Sequence, residues 1–283
     1  MRLCYSCAVY SVEAVILESR KFAHGSCILK LRAPLIAREA TPGQFLMAAQ
    51  AEESAIPSPL LKRALAIFTV ETEEKDQSLI TLLIKTVGRG TRKLVELQPG
   101  QTLNLIGPLG NGFDLTRANG KITLLVVGGT GIASVQLLAS ALARRGEEVE
   151  LIYGGRSAED LVGLAEFEHL GIPITTSTED GSQGVKGLVT EALLQRIEQL
   201  PVEHLNLYTC GPNPMMEAVG TIAEQHRIPC QISVEVKMGC GFGVCLGCTV
   251  KTSEGYRLAC THGPVFDASE FVWEHTRREA TTA

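Results

Sequence analysis

Ile122-Thr123-Leu124-Leu125-Val126-Val127-Gly128-Gly129-Thr130-Gly131 decides how the centre of this chain folds. The apolar run is too short for a core helix and is rich in β-branched residues, and the glycines then stop it. Residues 133–145 follow with helical spacing, so the unit reads strand, glycine turn, helix. The alternation continues with strands over residues 148–153, 173–178, 205–209 and 231–235 and helices over 159–170, 188–199 and 214–226. Such alternation builds a parallel sheet with helices on both faces.

In a Rossmann-like sheet of this kind, ligands bind beyond the carboxyl ends of the strands. Three loops meet there: Gly128-Gly129-Thr130-Gly131, Gly154-Gly155-Arg156 and Cys210-Gly211-Pro212-Asn213-Pro214. The first feeds a helix N-terminus, which suits a dinucleotide pyrophosphate. Gly128, Gly129, Gly131, Cys210 and Gly211 are therefore candidate NAD(H) contacts. The full G-x-G-x-x-G fingerprint is absent, and plain tight turns are the competing explanation. Arg156 and Ser157 lie where a ribose or 2′-phosphate would fall, and the adjacent Glu159 and Asp160 would repel that phosphate, so NADH is expected over NADPH.

Upstream the period changes. Strand patterns over residues 9–17, 26–31, 44–48, 65–70, 79–86 and 102–106 are punctuated by Pro42-Gly43 and Pro99-Gly100, with one helical piece over 91–97. Short strands at this spacing predict a six-stranded antiparallel barrel. Arg63 opens a strand, where its planar fork can hold a phosphate. Gly88-Arg89-Gly90-Thr91 precedes the helical piece and offers free N–H groups. Together these two features suggest a pyrophosphate clamp. Gly107-Pro108-Leu109-Gly110-Asn111-Gly112-Phe113 breaks all periodicity and reads as a hinge between domains, with Phe113 packed or covering a ligand.

Downstream, Gly239-Cys240-Gly241-Phe242-Gly243-Val244-Cys245-Leu246-Gly247-Cys248 and the later Cys260 give C-x4-C-x2-C-x11-C. Thiolates in this spacing match the plant-type [2Fe–2S] pattern, with Cys240, Cys245, Cys248 and Cys260 as ligands. Glycines at 239, 241, 243 and 247 let backbone N–H groups approach the sulfurs. A zinc staple is the competing chemistry, although structural zinc usually takes paired cysteines at both ends and Cys260 stands alone. Of the nine cysteines, Cys27, Cys210 and Cys230 sit in apolar strands as core residues, and Cys4 and Cys7 are too few to close a metal site.

The 283 residues, 45% apolar and 20% charged, suit a multi-domain globular protein. A net charge of -5 gives no basic footprint for nucleic acid. No apolar run is long enough to span a membrane, and Glu13 interrupts what would be a signal-peptide core, so a reducing cytoplasmic setting is expected. The expected division is 1–115 for the barrel, 116–230 for the nucleotide domain and 231–283 for a small cluster-binding subdomain.

This order of parts resembles the ferredoxin–NADP reductase superfamily, and within it the electron-transfer subunits of NAD-dependent (class 1B) dihydroorotate dehydrogenases. The resemblance runs through Arg63-Ala64-Leu65-Ala66, Gly90-Thr91, residues 107–113 and 128–131, Cys210-Gly211-Pro212, the four loop cysteines and Gly263-Pro264-Val265-Phe266. It implies FAD at Arg63, Ala64, Leu65, Ala66, Gly90 and Thr91, with Leu83, Ile84 and Lys85 also touching it. The family pattern at the first site is Arg-Pro-x-Ser; Ala64 and Ala66 depart from it and remove a hydroxyl near the flavin. The resemblance also implies a relay from NADH through FAD to the cluster, since a flavin exchanges two electrons on one side and one on the other. No acid–base residue of this chain is then catalytic, and of the six histidines His262 alone is placed near a cofactor. The implied partner is an FMN-containing dihydroorotate dehydrogenase catalytic subunit, two chains of each forming a heterotetramer.

Flavin subunits of NADPH–ferredoxin transhydrogenases and sulfide dehydrogenases share these motifs and form the nearest alternative, and a zinc-stapled nucleotide-binding regulator is one of another class. Purified protein is expected to be reddish-brown, with bound flavin and acid-labile sulfide. A colourless, zinc-containing preparation would contradict the electron-transfer reading.

Overall fold

The structure is a computed structural model that describes residues 8–50, 59–73 and 77–273; Cys4 and Cys7 lie outside the described residues. The first part comprises β1 (Tyr10–Lys21), β2 (Ser26–Arg32), α1 (Pro34–Glu39), β3 (Phe45–Gln50), β4 (Arg63–Ala66), β5 (Thr69–Glu71), β6 (Leu79–Lys85), α2 (Arg89–Glu96) and β7 (Thr102–Leu109). The strands form one antiparallel sheet in the order β4-β3-β7-β1-β2-β6-β5.

The single strand expected over 65–70 is two strands, β4 and β5, at opposite ends of that order, so among the described residues the barrel sheet has seven strands where six were expected. The break falls at Ile67 and Phe68. The Ile67 N–H donates to the Gln44 carbonyl and the Phe68 N–H to the Thr81 carbonyl, so these residues span from one edge to the other and close the barrel. The alternation fails there because both side chains are buried, Ile67 in the barrel interior and Phe68 in the core shared with the next domain. The short helix α1 was not anticipated; Pro34 in its first turn sets the backbone angle it needs.

The second part comprises β8 (Ile122–Gly128), α3 (Ile132–Arg144), β9 (Glu148–Gly155), α4 (Ala165–Glu168), β10 (Ile174–Thr178), β11 (Val185–Lys186), α5 (Val189–Ile197), β12 (Leu205–Cys210), α6 (Asn213–His226) and β13 (Cys230–Ser233). Its strands are parallel, in the order β11-β10-β9-β8-β12-β13. The helix expected over 159–170 shrinks to α4. Residues ahead of α4 are instead docked on the barrel: Leu161 and Val162 are buried beside Phe68 and Leu83, and Gly163 takes φ +90° with room for no side chain beside Phe68.

The C-terminal part makes a hairpin of β14 (Thr249–Thr252) and β15 (Gly255–Leu258), then returns as β16 (Val265–Asp267). β16 pairs antiparallel with β13 and seals the edge of the parallel sheet. The segment 107–113, expected as a hinge, is a clasp for this returning chain. The Asn111 N–H donates to the Gly263 carbonyl (2.7 Å), and its Nδ2 donates to the carbonyls of Thr261 (3.0 Å) and His262 (3.1 Å). Phe113 packs edge-on against Tyr208 at 5.3 Å between ring centres. Among the described residues no helix is long and apolar enough to cross a membrane.

Phe68 is fully buried where the barrel closes against the second domain. Phe68→Ala is expected to cost about 3–5 kcal/mol of stability in denaturant unfolding. Tyr256→Ala, at an exposed ring, is expected to stay within about 0.5 kcal/mol.

Candidate cofactor sites

The cysteine loop is seated on the barrel by its glycines. Gly241 takes φ +89°, and a Cβ there would lie 2.5 Å from Met47 Cγ on β3 and 3.1 Å from Leu109 Cδ1 on β7. At Gly243, φ +87°, a Cβ would meet Thr261 Cγ2 at 3.0 Å, so the loop also lies against the chain that brings Cys260. The sulfurs fall into two pairs. Cys240 Sγ accepts the N–H of Cys245 at 3.4 Å, and Cys248 Sγ and Cys260 Sγ lie 3.2 Å apart. The second pair is buried, whereas Cys240 is half-buried and Cys245 exposed.

The pairs differ electrostatically as well. Partial burial acts against the Cys240 thiolate, but the backbone N–H groups of Cys245, Phe242 and Val244 and the Cys245 thiol outweigh it and bring the Cys240 thiol down to about 6. Burial, then the neighbouring Cys248 thiol, push Cys260 up to about 12. Among the described residues no three His, Cys, Asp or Glu side chains converge as they would on a single ion. A structural zinc gathers four ligands at one point; a [2Fe–2S] cluster takes two thiolates on each of two irons. The observed pairs, with the backbone N–H groups of Phe242, Val244 and Cys245 aimed at Cys240 and that of Gly243 at Cys260, fit the second arrangement. His262 Nδ1 accepts the Leu258 N–H (3.2 Å) and so shapes the turn after β15.

On the barrel, Arg63 and the start of α2 come together as the sequence anticipates. A Cβ on Gly90 would lie 2.1 Å from Arg63 Nε, so the guanidinium lies across the helix N-terminus and only glycine leaves room for it. The Thr91 hydroxyl accepts the N–H groups of Val87 (2.9 Å) and Gly88 (3.2 Å), which shapes the turn. Ala64 pairs in register with Met47, so the strand carrying Arg63 neighbours the residue on which the cysteine loop sits; Leu65 and Ala66 complete β4. Leu83 and Ile84 bury their side chains in separate cores, leaving backbone as what they can offer a ligand. Lys85 instead reaches the second domain, Nζ to Asp160 Oδ1 at 2.9 Å.

A cleft of about 440 Å³ opens over the carboxyl ends of the parallel strands. Gly128 and Gly129 line it, with Arg156, Asp160, Glu179 and Met215. Gly131 lies beneath: a Cβ there would stand 2.2 Å from the Cys210 carbonyl oxygen, so this glycine lets α3 begin against β12. Cys210 is buried, its Sγ 3.3 Å from Ser134 Oγ, and burial pushes its thiol up to about 12. Gly211 (φ +159°) packs next to the backbone of Gly128.

The acids near this cleft are distributed differently from the sequence expectation. Glu159 turns away to an ion pair with His24, and Asp160 is engaged by Lys85 and Arg156. Glu179, the residue directly after β10, faces the cleft. Its position just past a predicted strand was the available signal. Glu235, just beyond β13, is exposed to solvent, and desolvation by the protein around it raises its carboxyl above the usual range. A larger cleft of about 800 Å³ separates the outer barrel wall from α3 and α4; none of the predicted site residues line it.

Barrel, dinucleotide sheet and cysteine loop in this order define a ferredoxin reductase-like flavoprotein. The solved NADH-dependent reduced ferredoxin-NADP oxidoreductase, studied for flavin-based electron bifurcation, superposes with a TM-score of 0.80 at 27% identity, covering 92% of this chain and 90% of that one. A profile for an oxidoreductase NAD-binding domain matches residues 125–221, and one for the iron-sulfur cluster binding domain of dihydroorotate dehydrogenase B matches residues 235–272. Dihydroorotate dehydrogenase B (NAD(+)) electron transfer subunits from Desulforamulus reducens (33% identity, 93% of this chain, 98% of theirs) and Clostridium acetobutylicum (36%, 93% and 97%) match over nearly full length. The chain belongs to the family of dihydroorotate dehydrogenase B electron transfer subunits.

Arg63 is expected to make charge-assisted hydrogen bonds to a flavin nucleotide. Arg63→Ala should weaken FAD binding by about 1.5–3 kcal/mol, on the order of tenfold to a hundredfold, in fluorescence titration of the apoprotein.

Proposed function

We propose that this chain carries electrons between NAD(H) and the catalytic subunit of a dihydroorotate dehydrogenase, in the step of pyrimidine biosynthesis that forms orotate. In this reading Arg63, Ala64, Leu65, Ala66, Leu83, Ile84, Lys85, Gly90 and Thr91 hold FAD in a barrel formed by residues 1–115. Gly128, Gly129, Gly131, Cys210 and Gly211 build the NAD(H) site in 116–230, and Cys240, Cys245, Cys248 and Cys260 hold a [2Fe–2S] cluster in 231–283. The partner carries FMN, two chains of each kind assemble into a heterotetramer, and the setting is cytoplasmic. Bound FAD supplies exchange between hydride transfer at the nicotinamide and single-electron transfer at the cluster. With dihydroorotate as donor, electrons enter from the partner and leave as a hydride on NAD+.

The observation that carries this reading is the seating of Gly241 on Met47, beside Ala64. It brings the thiolate loop to the strand beside the one that bears Arg63, in this reading a flavin ligand. The protein's own work is to bind, orient and exclude water around carriers whose chemistry is not its own. Exposed Phe242, Val244 and Leu246 on the loop support a docking face for the partner. The transhydrogenase alternative shares the fold, but Glu179 in the cleft favours a nucleotide without a 2′-phosphate, as an acid suits ribose hydroxyls and repels phosphate.

Alone, the reconstituted chain should reduce artificial acceptors with NADH and leave dihydroorotate untouched; added FMN-bearing partner should restore NAD+-linked dihydroorotate oxidation. Failure of any such partner to bind, with transfer to ferredoxin instead, would overturn the assignment. Glu179→Arg should shift the NADH/NADPH ratio of kcat/KM towards NADPH by on the order of tenfold or more.

A further inference from the structure

The segment from the end of β9 through α4 joins the two large domains and the nucleotide cleft. Three ion pairs hold it to the barrel: Glu159 to His24, Asp160 to Lys85 and Glu166 to Arg20. The pairs of Glu159 and Glu166 involve largely exposed partners, the kind that contribute little. Asp160 differs, because its side chain is only 6% exposed. Its Oδ1 takes Lys85 Nζ at 2.9 Å from β6, and its Oδ2 takes Arg156 Nε at 3.1 Å on the wall of the nucleotide cleft. Lys85 and Arg156 together hold the Asp160 carboxyl below its ordinary range despite burial, which alone would raise it.

Behind Asp160 stands Tyr153, fully buried on β9. Its hydroxyl lies 2.9 Å from the Gly129 carbonyl in the nucleotide loop, 3.0 Å from the Asp160 carbonyl and 3.2 Å from that of Val162. A phenol has one proton to give, so three carbonyls share it. The hydroxyl therefore ties the glycine loop to the segment docked on the barrel. A continuous polar chain runs from Gly129 through Tyr153 and Asp160 to Lys85.

We propose that Asp160, backed by Tyr153, is a positioning residue that fixes the nucleotide loop relative to strand β6 and so sets the approach of nicotinamide to flavin. The inference rests on the function proposed above, in which a hydride is exchanged between nicotinamide and flavin; in the direction from NADH it leaves NAD+ and a flavin reduced by two electrons. That step needs reacting atoms about 3–3.5 Å apart, and here the two carriers belong to different domains. Domains joined by an ordinary interface move relative to each other by default. The Lys85–Asp160–Arg156 link runs between the strand adjoining the flavin and the wall of the nucleotide cleft. It registers one against the other through side chains of both domains.

The test uses the FAD-loaded full chain in anaerobic stopped-flow with NADH, comparing wild type, Asp160→Asn and Tyr153→Phe. Four quantities are read: the limiting rate of flavin reduction, the NADH concentration at half that rate, the long-wavelength nicotinamide–flavin charge-transfer absorbance, and the FAD Kd from titration of apoprotein. Asp160→Asn should lower the limiting rate by on the order of tenfold to a hundredfold and weaken the charge-transfer band, with FAD Kd and half-saturation moving by less than about threefold. Tyr153→Phe should act in the same direction, more weakly. An unchanged limiting rate and band in both variants overturns the inference, as does a rate loss matched by loss of FAD. Should Asp160→Asn fail to fold, Tyr153→Phe, which keeps the ring, decides alone. Wild-type protein that binds FAD yet is not reduced by NADH overturns the proposed function itself.

Discussion

Gly241 stands over Met47 with a positive φ, and a Cβ in its place would sit 2.5 Å from the methionine side chain. That absence of a side chain lets a loop of four-residue cysteine spacing lie flat on a barrel strand. Met47 in turn pairs with Ala64, one residue from the arginine that crosses Gly90. The inner thiols, Cys248 and Cys260, are buried in the same apolar core as Phe45, Met47 and Leu109 of the barrel and Val219 and Ile222 of α6. The cysteine loop, the barrel and the parallel sheet therefore share one interior, and none of the three is suspended from the others by a linker.

Adhesion and registration between the large domains are handled by different forces. Adhesion comes from burial of Phe68, Leu83, Leu161 and Val162, a non-directional term proportional to apolar area. That term tolerates small sliding. Directional bonds do not, and the buried carboxylate of Asp160 between two cations is such a constraint. The exposed pairs at Glu159 and Glu166 add little energy but face the same way, so the segment is anchored along its length.

Much of this was legible in the residues. The spacing of Cys240, Cys245, Cys248 and Cys260, the glycine stop after Val127 and the strand–helix alternation each follow local rules, and the sheet and loop appear where those rules put them. Arg63 and Gly90 were legible as the two sides of an expected anion clamp, but the direct stacking of the guanidinium on Gly90 depends on barrel closure, which no local pattern encodes. The closure defeated the strand count as well, because Ile67 and Phe68 serve two cores at once and read as one continuous apolar run. Residues 159–163 misled for a related reason: their helical spacing was outweighed by docking against another domain. Lys85 and Asp160 are 75 residues apart, and nothing in either neighbourhood announces the other.

The return of β16 to the rim of the parallel sheet has a consequence for how such a protein can be cut or recombined. Strand β13 would otherwise present a bare row of backbone donors and acceptors, the kind of margin that recruits foreign strands and seeds aggregates. The tail that follows the last cysteine covers that margin, so the redox loop is bracketed on both sides by strands of the sheet it serves. A graft that carried the cysteines alone to another scaffold would leave behind an unsealed donor and arrive without its own frame. The smallest portable piece is loop plus rim strand, and inheritance of the two as a unit is what this topology favours.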